Sequence, residues 1–101
     1  MIVYIIGPIS GREDFNRSEF ERARSIIERH GCRAIIPLDL TQDIQGHRCP
    51  AYLWTVAMCR CLDALEGADA IIALPGWKNS RGANIEIRKA KQMGLSISYW
   101  R

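Results

Sequence analysis

Apolar residues along this chain fall into short continuous runs. These alternate with longer stretches in which apolar positions recur at helical spacing. The runs Ile2 to Ile6, Arg33 to Pro37, Ala70 to Leu74 and Leu95 to Trp100 each predict a buried strand. Between the first two, Phe20, Ala23, Ile26 and Ile27 mark the buried stripe of a helix over Arg17 to His30, with Gly31 as its stop. Asn16 and Glu19 have capping-box spacing, with Asn in place of the usual Ser or Thr. Pro50 suits the first turn of a second helix, closed by Gly67, in which Met58, Cys61, Leu62 and Leu65 repeat at i, i+3, i+4 and i+7. A third helix is predicted over Arg81 to Met93, ending before Gly94. The polar segment from Leu38 to Cys49 carries Gln42, Asp43, Gly46, His47 and Arg48 and predicts a loop, of a length often tied to function.

Strictly alternating strands and helices predict a mainly parallel sheet with helices on both faces. No repeat, linker or low-complexity segment interrupts the pattern, so residues 1–101 are expected to form one domain. The expected architecture is a flavodoxin-like three-layer α/β fold with a sheet of about four to five strands. A chain this short buries only a modest core, which favours oligomerisation. Tyr52 and Trp54 lie on a helix already apolar on another face, and such a helix is most easily explained by burial on both sides. A homo-oligomer is therefore expected, a tetramer before a dimer.

Composition narrows the function classes. The net charge of +3 comes without any run of like charges. It suits a small anionic ligand better than a nucleic acid polymer, which calls for a clustered basic footprint. No basic segment leads into a long apolar stretch, and no apolar run approaches the ~20 residues that span a bilayer. A cytoplasmic protein with no membrane partner and reduced thiols is the expectation. The four cysteines are Cys32, Cys49, Cys59 and Cys61. With His47 they form His-x-Cys and Cys-x-Cys, tighter than structural zinc sites use, so small hydrophobic roles are expected and no metal.

Candidate chemistry gathers at two strand-to-helix turns, which an open parallel sheet brings together at the carboxyl ends of its strands. The first is Gly7-Pro8-Ile9-Ser10-Gly11, whose small residues admit close approach of backbone to a ligand, or simply form a turn. The second is Leu74-Pro75-Gly76-Trp77-Lys78-Asn79-Ser80-Arg81-Gly82. Ser80, Arg81 and Gly82 open the third helix, whose unpaired N–H groups can receive an anion. Arg81 offers a guanidinium fork, or is a solvated or intersubunit arginine. Trp77 is placed to stack on a base, or to bury against a neighbouring subunit. Glu86 shares a helix face with Ala83, Ile87 and Ala90. An inward carboxylate pairs with something or binds something. For Glu86 the options are a structural bond to turn amides, Arg60 or Arg81, or a contact to a ribose hydroxyl. Tyr4 is expected in the core with its polar tip near the site. His30 favours the dipole at a helix end, and His47 has no visible catalytic partner.

In order and spacing, Tyr4, Gly7, Pro8 and Gly11, then Asp14-Phe15-Asn16, Ala68-Asp69-Ala70, Leu74-Pro75-Gly76-Trp77, Ser80, Gly82, Ala83 and Glu86 resemble the nucleoside 2-deoxyribosyltransferase-like superfamily, particularly its small phage-associated branch. The resemblance spans nearly the whole chain. It implies compact homotetrameric sponges, the anti-Thoeris proteins, which bind cyclic ADP-ribose isomers made by bacterial TIR enzymes. Some relatives take cyclic dinucleotides or trinucleotides from anti-phage signalling. In the superfamily's enzymes, the glutamate corresponding to Glu86 attacks the anomeric carbon and forms a covalent glycosyl intermediate.

Two departures from the enzymes stand out. They read Asp-Ser-Gly-Thr-Ala where this chain has Ser80-Arg81-Gly82-Ala83-Asn84, and they often carry an aspartate where Cys61 stands. Glycosyl transfer needs an acid for the departing base as well as a nucleophile, and no spacing selects Asp14, Asp63 or Asp69 for that part. The resulting expectation is a protein that sequesters a cyclic nucleotide or cyclic ADP-ribose type ligand in the host cytoplasm, with no catalytic residue and no cofactor. Its ligand-binding set is Gly7, Pro8, Ile9, Ser10, Gly11, Asn16, Trp77, Ser80, Arg81, Gly82 and Glu86. The alternative is an N-ribosyltransferase or nucleoside hydrolase with Glu86 as its nucleophile.

Overall fold

Four strands build one all-parallel sheet in the order β2-β1-β3-β4, in a computed structural model that describes residues 1–101. The strands are β1 (Ile2–Ile6), β2 (Arg33–Ile35), β3 (Ala70–Ala73) and β4 (Ser96–Tyr99). The helices are α1 (Arg17–Arg29), α2 (Pro37–Leu40), α3 (Pro50–Glu66) and α4 (Arg81–Gln92). The central strand β1 pairs with β2 through Tyr4 opposite Ile35, and with β3 through Tyr4 opposite Ile71. Being covered on both faces, β1 reads as a continuous apolar run rather than an alternating one.

The core is split by the sheet. On one side, Val3 and Ile5 of β1 pack with Phe20, Ala23 and Ile27 of α1 and with Ala34, Ile36 and Leu74. On the other, Tyr4 and Ile6 pack with Cys61 and Leu65 of α3 and with Ala83, Ile87 and Ala90 of α4. The connection from β1 leads to β2 on one side, and those from β2 and β3 lead the other way. Strand order therefore reverses between β1 and β3, the place in such a sheet where a crevice opens beyond the carboxyl ends. No helix follows β4, and on the α1 side of β3 and β4 the half-buried Ala70, Ile72 and Trp100 flank that core.

Three local expectations are revised. The segment after β2 is not a structureless loop: Pro37 leaves the strand to open the short helix α2, and Gln42–Ile44 form a 3-10 turn. Leu38, Thr41 and Ile44 are buried there, and Arg60 of α3 holds the segment through the Leu40 carbonyl at 3.1 Å and the Asp43 carboxylate. Asn16 makes no capping bond; it precedes α1 in the left-handed region at φ 63. It ends three successive left-handed residues, Asp14 (φ 47), Phe15 (φ 55) and Asn16, a conformation that costs non-glycine residues about 1–2 kcal/mol each. Glu86 pairs with neither Arg60 nor Arg81. Its partner is described next. No helix is long and apolar enough to cross a membrane.

Candidate functional site

A cleft of about 470 Å³ opens at the reversal point between β1 and β3. Its size lies within the range of small-molecule sites. Gly7, Ile9 and Ser10 form one side, Ser80, Gly82, Ala83 and Glu86 of α4 another, and Leu53, Trp54, Ala57 and Met58 of α3 a third. Leu38, Thr41, Ile44 and Gln45 close it from the α2 side, and Phe15 stands at its edge, 48% exposed. At the end of β1, Gly7 is needed for lack of space. A Cβ there would lie 3.1 Å from Leu74 Cβ and from Phe20 Cζ.

Glu86 sits within the cleft, only 4% exposed, and the Tyr4 hydroxyl donates to its Oε2. The side-chain hydrogen bonds of Glu86 stop there, and no buried side-chain oxygen is left without a partner. Oε1 therefore reaches the open space of the cleft. Burial pushes the Glu86 carboxyl up to about 7, against the lowering effect of the Tyr4 hydrogen bond. Burial, and then the nearby Glu86 charge, push the Cys61 thiol up to about 12. Burial and Glu86 also hold the Tyr4 hydroxyl well above its ordinary value. The cleft thus has an inert thiol and a carboxyl poised between its two states near neutral pH, with the protonated Tyr4 phenol buried behind it.

The turn that carries α4 is tied down from within. The Ser80 hydroxyl accepts from the Ala83 N–H at 3.2 Å and caps the helix. Asn84 Nδ2 donates to the carbonyls of Lys78 at 2.9 Å and Ser80 at 2.7 Å, closing the turn over Trp77–Asn79. Asn84 thereby shapes the site, a role that its place at the end of Ser80-Arg81-Gly82-Ala83-Asn84 does not by itself reveal.

Of the residues singled out from sequence, Gly7, Ile9, Ser10, Ser80, Gly82 and Glu86 line this cleft together. Pro8 and Arg81 line a smaller, polar pocket beside it. Gly11, Asn16 and Trp77 line neither. Trp77 packs against Tyr99 of β4 with ring centroids 5.5 Å apart, so the indole at the cleft is Trp54 instead, with the Arg81 guanidinium 4.4 Å over its ring. Glu86 is the one carboxylate in the lining. Asp69 accepts from the Ile2 N–H at the amino end of the sheet, Asp63 is exposed on α3, and Asp14 lies 3.9 Å from Arg17. No three His, Cys, Asp or Glu side chains come together.

Residues 1–99, the whole fold just described, match the family described as Domain of unknown function (DUF4406). The chain belongs to the DUF4406 family. No curated protein matches it. In this DUF4406 chain the matched region contains both turns of the cleft and the Tyr4–Glu86 pair, so the site is part of the family domain and not an addition to it.

Proposed function

We propose that this DUF4406 protein binds a nucleotide-like molecule in the cleft and holds it without turnover. On this reading it is a phage-type sponge that sequesters a nucleotide immune signal, of the cyclic ADP-ribose or cyclic oligonucleotide kind, and so blocks anti-phage defence. The observation that carries the reading is that Glu86 stands alone. Its free Oε1 is an acceptor for a ribose hydroxyl, and the apolar walls from Ile9, Leu38, Leu53 and Met58 suit the face of a base. Breaking a glycosidic bond to a base calls in addition for an acid to protonate the leaving group. The cleft has no second carboxyl to serve.

One observation favours a transferase or hydrolase instead. The Tyr4 hydroxyl fixes Oε2 and so turns Oε1 toward the cleft, the orientation needed to attack an anomeric carbon. Mass spectrometry separates the two readings. The protein is incubated for hours with cyclic ADP-ribose isomers and cyclic dinucleotides and then denatured. Release of the intact ligand is the expected result. Free nucleobase, or a sugar adduct on Glu86 that Glu86→Gln abolishes, would establish the enzyme.

A further inference from the structure

Beside the main cleft lies a second, polar pocket of about 230 Å³. It is lined by Ser10, Arg12, Asn79, Arg81 and Gly82, with Trp54 and Ser80 at the boundary to the larger space. Two arginines line this small concavity and no carboxylate does. Neither Arg12 nor Arg81 joins any of the ion pairs, which use Arg17, Arg22, Arg24, Arg60 and Lys89 instead. Each arginine has its own seat. Arg81 lies flat on the Trp54 ring, a cation–π contact at 4.4 Å. Arg12 lies against the bare backbone of Gly76, where an added methyl would collide with its guanidinium. Gly76 sits at φ +88, a conformation glycine adopts freely.

A third source of positive potential is the backbone. Arg81 and Gly82 are the first two residues of α4, a helix of 12 residues, and have no helical carbonyl four positions back. The Ser80 hydroxyl and carbonyl are taken up by the N–H groups of Ala83 and Asn84. The N–H groups of Arg81 and Gly82 make no loop or cap bond within the chain. Two planar forks, two free N–H groups and the Ser10 hydroxyl on one small space form a donor set without an acceptor charge.

We infer that this pocket is a phosphate subsite, in which Arg12 and Arg81 hold a phosphoryl group of a ligand whose sugar lies against Glu86. The two spaces share Ser10, Trp54, Ser80 and Gly82, so one molecule spans both. The inference rests on the nucleotide reading of the adjoining cleft and narrows it. The ligand class is a nucleoside phosphate, mono- or diester, and free nucleosides bind poorly. Arg12 has no part in the sequence motif and is assigned by position alone.

Calorimetry with adenosine and adenosine 5′-monophosphate tests this, alongside amide NMR with inorganic pyrophosphate. The parent protein is expected to bind the monophosphate at least tenfold more tightly than adenosine, with a gap that narrows as salt is added. Arg12→Ala is expected to bring the monophosphate down toward adenosine while adenosine binding stays as it was, and Arg81→Ala to weaken the monophosphate more than adenosine. Arg88→Ala, an exposed arginine further along α4, is expected to change neither. Equal affinity of the parent for both compounds overturns the subsite, as does an equal loss for both in Arg12→Ala. If neither compound binds, the cleft does not take a simple adenine nucleotide, and pyrophosphate decides the pocket by itself. Shifts at the Arg81 and Gly82 amides that vanish in Arg12→Ala keep the anion site. Their absence in the parent removes it.

Discussion

Tyr4 and Glu86 stand 82 positions apart in sequence and share one hydrogen bond at the base of the cleft. The phenol comes from the middle of β1 and the carboxylate from the second turn of α4, so the bond exists only when strand and helix are packed together. It is the one protein contact that favours the ionised form of Glu86, against burial that favours the neutral one. Tyr4→Phe removes that contact and keeps the ring. The Glu86 carboxyl is then expected to titrate above its present value of about 7, as followed by carbon NMR of its side chain. A lower or unchanged value would mean that the hydroxyl does not control the carboxylate.

Stability should depend on pH through the same residue. In the folded chain Glu86 titrates near 7, against 4.5 when exposed. Between these values the folded state holds more protons than the unfolded one. Stability is therefore greatest below the lower value and declines as pH rises through about 7. Each unit of difference is about 1.4 kcal/mol, so the decline should amount to about 3–4 kcal/mol. Denaturant unfolding of the parent and of Glu86→Gln across this window checks the claim. The amide variant should lack the decline, and parallel curves would assign the pH effect elsewhere.

The left-handed turn at Asp14–Asn16 should trade stability against binding. Phe15 has φ 55 and a half-exposed ring at the edge of the cleft. Alanine there retains the strained backbone, whereas glycine removes the steric cost. Phe15→Gly is expected to be more stable than Phe15→Ala by about 1 kcal/mol in chemical denaturation. Both should bind ligand more weakly than the parent through loss of the ring. Equal stabilities would show that the turn carries no such strain.

Gly7 is limited by space. The new Cβ of Gly7→Ala would press on Leu74 and Phe20 at 3.1 Å. Overpacking of this kind costs about 1–3 kcal/mol, which a thermal or denaturant melt will detect. A neutral outcome would mean that the Phe20 ring can swing aside without loss.

The outer face of α3 bears on assembly. Tyr52 is 44% exposed there, and Cys59 lies open on the same side of the helix. Light scattering is expected to give a multiple of 11.5 kDa, with four copies favoured, and Tyr52→Asp is expected to lower that mass. A parent protein that runs at 11.5 kDa would leave this face without a partner copy.

The strands and long helices were legible because each is a run or stripe whose period matches its element. The inward face of α4 could be read from Ala83, Glu86, Ile87 and Ala90 before any contact was known, and all four are buried. The segment after β2 was not legible. Its buried residues Leu38, Thr41 and Ile44 are too few and too mixed with polar ones to show a period, and Arg60 anchors it from a different element. For the site, the local turns bring Gly7, Ser80, Gly82 and Glu86 around one cleft. Which indole faces it depends on how helices pack. Trp77 follows its turn toward β4, and Trp54 arrives from α3. Arg12 likewise gains meaning only from Gly76, which lies on the far turn.

The reversal of strand order between β1 and β3 has a consequence for how this domain can change. The turn after β1 leaves toward α1, and the turn after β3 leaves toward α4. Each is anchored to its own helix, and the two meet where Pro8 and Arg12 lie against Gly76. A substitution or insertion in one turn can therefore reshape half of the recognition surface while the other half, and the sheet beneath, stay as they are. A lineage built on this scaffold can follow a changing small molecule one wall at a time.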